Sequence, residues 1–296
     1  MKLFAPEYYR DFKCIADKCT HSCCIGWEID VDKKAIKKYS KLNNEYAKEI
    51  NASIEGNPPH FRLLDEERCS HLDKNGLCKI ILNCGEEYLC DICREHPRFY
   101  NYTNYGKEVG IGMSCPEACR LILSSDNFDK LTVISENKEK EEIIEFDATI
   151  YRAKAFSILK SEELSYKEKL TTIYSSFGVS PDIVSNEGWN ECLSNLEYLN
   201  ESHRELFANY SFSLEAQNNL ENVLAYLIYR HCTEAFDENE FIIDLGFCLF
   251  CERLLASMIK NNKDYDITTL AMILSEEIEY STDNIQEIKN RIEEAI

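Results

Sequence analysis

Fifteen cysteines in 296 residues limit the folding of this chain most, because eleven of them fall between Cys14 and Cys119. A thiol-dense segment must bury its cysteines as small apolar residues, oxidise them, or give them to a metal. Burial suits Cys192, Cys232, Cys248 and Cys251, which fall on apolar helix stripes. It does not suit the other eleven. They lie in loop-rich sequence before residue 120, which holds seven of the ten glycines and five of the six prolines. The opening MKLFAPEYYRDFKC has no apolar leader core, so a cytoplasmic protein is expected, in which thiols stay reduced. That disfavours disulfides and leaves metal binding as the reading the positions select.

Cys14, Cys19, Cys23 and Cys24 form C-x4-C-x3-C-C around His21. Cys69 and Cys78 flank SHLDKNGL, a turn closed by Asn75-Gly76. Cys90-Asp-Ile-Cys93 sets two sulfurs three residues apart on one helix face, and Cys115-Pro116 and Cys119 follow on another helix. Zinc takes four thiolates or imidazoles, and iron–sulfur clusters are also held by thiolates, so zinc and iron both stay open. His21, His71 and His96 each lie within three residues of a cysteine and are candidates for ligand or supporting roles. Arg94 and Arg98 follow Cys93 and are the candidates to hold a cofactor carboxylate by bidentate contact.

Charge divides the chain in the same way. Residues 1–125 carry 18 basic and 19 acidic side chains, and residues 126–296 carry 15 and 34, giving most of the net charge of −20. This balance argues against a nucleic-acid partner. No apolar run approaches the ~20 residues of a membrane span. The predicted fold is mainly α. An irregular cysteine-rich metal-binding N-terminal domain (1–125) with a small hairpin in FYNYTNYGKEVGIG precedes an acidic α-helical domain (126–296). The boundary falls in Ser124–Lys140, which contains a short LTVI strand. Helical spacing predicts helices over 32–50, 85–96, 115–123, 141–160, 164–177, 186–198, 201–209, 213–235, 239–261, 267–280 and 282–295. No P-loop, H-E-x-x-H, G-x-S-x-G or strand-to-helix G-x-G-x-x-G is present.

The stretches YYRDFKCIADKCTHSCCIGWEIDVD, RCSHLDKNGLCKI, LCDICREHPRFYN and GMSCPEACRLIL, spread over Tyr8–Leu123, resemble the flagellin lysine-N-methylase family. Their cysteine order also resembles a broader group of zinc- or iron-chelating cysteine domains. The resemblance implies an S-adenosylmethionine-dependent protein-lysine N-methyltransferase acting on flagellin or another lysine-bearing protein. It also implies a [4Fe–4S] cluster, with Cys14, Cys19, Cys23, Cys24, Cys69, Cys78, Cys90, Cys93 and Cys115 as candidate ligands. The alternative is a non-enzymatic zinc- or iron-binding module for protein interaction.

Overall fold

The computed structural model describes residues 1–137, 144–185, 188–215 and 220–296. The chain forms two compact units, one of Lys13–Arg98 and one of Met1–Phe12 together with Phe99–Ile296.

The Lys13–Arg98 unit holds nine cysteines and is built from short pieces. Strands Ile29–Asp30, His60–Phe61 and Ile54–Glu55 make a three-stranded antiparallel sheet in that order, and Leu63–Leu64 pairs with Arg68–Cys69. Helices Lys33–Tyr39, Ala47–Ala52, Lys79–Cys84 and Asp91–Glu95 surround them in sequence. The core is small: Ile29, Val31, Tyr39, Ile50, Phe61 and Ile80, joined by Cys69 and Cys90. Helices this short are marginal by propensity, so caps and tertiary hydrogen bonds carry much of their order.

The second unit is organised around the helix Glu238–Asn261. Phe241, Leu245, Phe247, Cys248, Leu249, Phe250, Cys251, Leu254 and Leu255 point all round it, and all are inaccessible. A helix apolar on every face belongs in the middle of a bundle. Helices Glu221–His231, Ile267–Leu274 and Thr282–Glu293 pack against it. A four-stranded sheet completes the unit, in the order Arg98–Thr103, Gly106–Ile111, Lys2–Pro6 and Leu131–Glu136. Lys2–Pro6 runs parallel to Gly106–Ile111 and antiparallel to Leu131–Glu136, with a register irregularity between Leu3 and Phe4. No helix among the described residues is long and apolar enough to cross a membrane.

These observations correct the expected fold class. There is no cysteine-rich N-terminal domain with its own hairpin. The hairpin strands belong to the four-stranded sheet of the helix-rich unit, and the cysteine-bearing unit has two sheets of its own. The expected division at residue 125 falls inside the helix-rich unit. The cause is long-range pairing: Lys2–Pro6 finds its partners more than a hundred residues away, which no local periodicity reveals. Within the cysteine-bearing unit, the helix expected over 32–50 breaks into Lys33–Tyr39 and Ala47–Ala52. That over 85–96 shortens to a single turn, Glu86–Tyr88, and Asp91–Glu95. Further on, Ala148–Leu159, Tyr166–Phe177, Trp189–Asn195, Glu221–His231 and Thr282–Glu293 lie within the helices expected there. Portions of those expectations, and of the 124–140 boundary, at 138–143, 186–187 and 216–219 lie outside the described residues.

The sheet is tied to the helices by an ion pair taken out of water. Arg152 donates to both carboxylate oxygens of Glu108 at 2.7 Å, to Thr233 Oγ1 at 2.7 Å and to the Tyr105 hydroxyl at 3.0 Å. Glu108 is wholly inaccessible. Breaking a buried pair from one side leaves an uncompensated charge. Glu108→Ala is expected to cost about 3–5 kcal/mol in urea unfolding, and the apolar double variant Glu108→Leu with Arg152→Met to recover most of that.

Candidate metal centre

Backbone hydrogen bonds draw the cysteine segments of the Lys13–Arg98 unit together. The Cys69 amide donates to the Cys24 carbonyl at 2.8 Å, the Gly26 amide to Glu67 O at 3.1 Å, and Ile25 bridges Arg68. The first and second cysteine groups therefore lie side by side. The second closes on itself: Leu72 bridges Cys78, and the Asp73 carboxylate accepts from the amides of Asn75 and Leu77 at 2.8 and 2.9 Å. This is the turn expected at Asn75-Gly76, and it returns the chain so that Lys79 N donates to His71 O at 2.8 Å. Cys78 and Cys90 then stand at the N-termini of helices Lys79–Cys84 and Asp91–Glu95.

Asp32 joins the third group. One of its oxygens caps helix Lys33–Tyr39 by accepting from Lys34 N and Ala35 N, both at 2.9 Å. The other accepts from Asp91 N at 2.8 Å, at the first residue of the helix that carries Cys90 and Cys93. Burial pushes this carboxyl up, but the amides of Asp91, Ala35 and Lys34 outweigh it and hold the group below its ordinary value.

The outcome is a neighbourhood of six thiols. Cys23 and Cys24 perturb each other's ionisation, and so do Cys90 and Cys93. Within each pair Cys24 and Cys93 are pushed up. Cys23 is drawn down to about 7, and Cys90 is also lowered by its Cys93 contact. Cys69 feels Cys78 and Cys90; Cys24 feels Cys69 and Cys78; Cys93 feels Cys24 and Cys69. Burial raises Cys69 to about 11 and also raises Cys78, against the helix amides of Ile81 and Ile80. Cys19 interacts with Cys23 and Cys14, and its thiol donates to His21 O at 2.5 Å. Cys14 and Cys23 are the exposed members of the set.

These donors are of the right chemistry for a thiophilic metal. Among the described residues no three His, Cys, Asp or Glu side chains are arranged to hold an ion.

The remaining candidates are placed as follows. His71 is buried with both ring nitrogens occupied: Nδ1 meets the Tyr46 hydroxyl at 2.5 Å and Nε2 meets Ser53 Oγ at 2.7 Å. Ser53 donates to Ile50 O, so it accepts from Nε2–H and Nδ1 accepts from Tyr46. His71 is therefore a core histidine. Burial, helped by Lys79, lowers it to about 4. His96 is lowered to about 4 by burial, then by His21 and Arg98. Arg94 is engaged by Asp91 and, at 3.1 Å, by Glu95, while Arg98 donates to Arg94 O at 3.1 Å. Cys115 belongs to the helix-rich unit, where it caps Pro116–Leu123; Cys119 is buried there with its thiol 3.6 Å from Thr268 O. Cys192, Cys232, Cys248 and Cys251 are core residues, as their helix stripes imply. Asp32 and the Tyr46–His71–Ser53 chain escaped sequence reasoning. Asp32 had one available signal, an Asp directly before a helix.

Over 129 residues, 40% of its length, the chain is 27% identical to the flagellar biosynthetic protein FliU of Salmonella muenchen, covering 75% of that protein. It is equally similar, over the same length, to proteins named lysine-N-methylase from Salmonella choleraesuis and Salmonella typhimurium. Over this stretch the chain is similar to proteins named lysine-N-methylase. The match spans 32% of each of those two proteins. No family model and no solved structure matches the chain.

Asp32 supplies a test that separates capping from clipping. Asp32→Ser keeps a capping oxygen but is too short to reach Asp91. Asp32→Ala keeps neither and is expected to lose about 2 kcal/mol in denaturant unfolding, with the serine variant losing about half of that. Both variants are expected to speed alkylation of Cys90 and Cys93, read by mass spectrometry. Wild-type alkylation rates in the serine variant would contradict the clip.

Proposed function

We propose that the chain is an S-adenosylmethionine-dependent protein-lysine N-methyltransferase of the flagellin-modifying type, with a cysteine-ligated iron–sulfur cluster. The observation that carries the reading is the 27% identity, over 129 residues, to proteins named lysine-N-methylase. The flagellar name of the third relative supports a flagellin-like substrate. The thiol neighbourhood supports the metal part. Cys23, Cys24, Cys69, Cys78, Cys90 and Cys93 come from three sequence-distant groups of one unit, and Cys19 interacts with both Cys14 and Cys23.

A cluster at these thiols would supply an iron centre able to bind or reduce the methyl donor. The chain's own residues define the rest. Cys78 and Cys90 present sulfur at helix N-termini, where backbone amides stabilise thiolate. Asp32 fixes the helix that carries Cys90. Arg94 and Arg98 are the candidates for a cofactor carboxylate, by bidentate contact. The excess of 34 acidic over 15 basic side chains beyond residue 125 suits a lysine-bearing partner.

A specific observation favours a second reading, a metal-stabilised binding module. The match spans only 32% of each lysine-N-methylase. An assay with anaerobically reconstituted protein, purified flagellin and methyl-labelled S-adenosylmethionine separates the two. Label is expected on lysine ε-amines and is expected to fall at least tenfold in Cys90→Ala. Absence of transfer by protein with a full cluster would leave the binding-module reading.

A further inference from the structure

Within the helix-rich unit, the hairpin strand Arg98–Thr103 forms one edge of the four-stranded sheet. Tyr100 and Tyr102 stand two residues apart on it and so share a face. The ammonium of Lys107, on the neighbouring strand, lies 4.1 Å from the Tyr100 ring centroid and 4.9 Å from that of Tyr102. Two aromatic faces thus already hold one ammonium. Glu234 adds a carboxylate beside them: its Oε1 accepts from the Tyr102 amide at 2.9 Å. Tyr102 is 40% exposed, so its ring is open to solvent.

Ring faces attract cations through their quadrupole, and the attraction is best used by alkylated ammonium groups, which shed water more easily than a primary amine. The resident Lys107 is a strongly hydrated point charge on a flexible stem and so is readily displaced. We propose that Tyr100, Tyr102 and Glu234 form a binding site for the methylated ammonium of a lysine side chain, with Lys107 as its built-in occupant. The rings supply the cation-binding faces, Glu234 supplies charge, and Lys107 must swing out to admit the ligand. A self-occupied site binds its ligand more weakly by the fraction of time it is filled. The site is read from ring geometry and goes beyond the methyl-transfer reading; its test contains no methyl donor, so either can fail without the other.

The full chain is titrated with a short peptide carrying one trimethyl-lysine and with the unmethylated peptide of the same sequence, by calorimetry. Lys107→Ala is expected to bind the trimethylated peptide about 3–5-fold tighter than the wild type. In the Lys107→Ala background, Tyr102→Phe keeps the ring face and is expected to keep the affinity, whereas Tyr102→Leu is expected to lose about the same factor. Equal binding of the two peptides, no gain in Lys107→Ala, or no binding to any variant would overturn the proposal. The Tyr102→Phe protein guards against reading a folding defect as lost binding.

Discussion

The candidate centre depends on backbone hydrogen bonding between segments that carry little core of their own. Cys69 N to Cys24 O, Lys79 N to His71 O and Asp91 N to the Asp32 carboxylate are the three seams that place the cysteine groups together. Each is a single short contact of 2.8 Å. The small core of Ile29, Tyr39, Ile50 and Phe61 holds the unit's frame.

The helix-rich unit follows a different logic. Its central helix is apolar on all sides, and two of its buried carboxylates are met by partners from other elements. Glu108 is met by Arg152 and Tyr105. Glu279 is met by Arg230, His231 and Tyr226. Such sets specify packing, because every member is satisfied in only one arrangement. The acidic excess of this part of the chain is therefore a property of its surface, with the buried carboxylates already neutralised.

The sequence shows the later helices of this unit, because apolar residues at helical spacing record a buried face directly. Glu238–Asn261 appears within one residue of where the pattern places it. It also shows the hairpin, through the turn residues between aromatic and β-branched positions, and the four buried cysteines on helix stripes. What it hides is non-local. Lys2–Pro6 reads as an ordinary short apolar stretch until its partners near residues 107 and 131 are known, and this is why the fold class needed correction. At the candidate centre, the cysteines announced themselves by number and spacing. Which of them are neighbours, that His71 is closed off by Tyr46 and Ser53, and that Asp32 reaches Asp91 are facts of three-dimensional pairing that spacing does not encode.

The proposed metal centre would be held by the thiols of Lys13–Arg98. X-ray absorption at the metal edge, on the full chain purified anaerobically, tests it most directly. The expected result is a stoichiometric metal with a shell of sulfur at about 2.3 Å, lost in a variant lacking both Cys90 and Cys93. A metal-free protein whose cysteines in this unit all react at once with an alkylating reagent would contradict it.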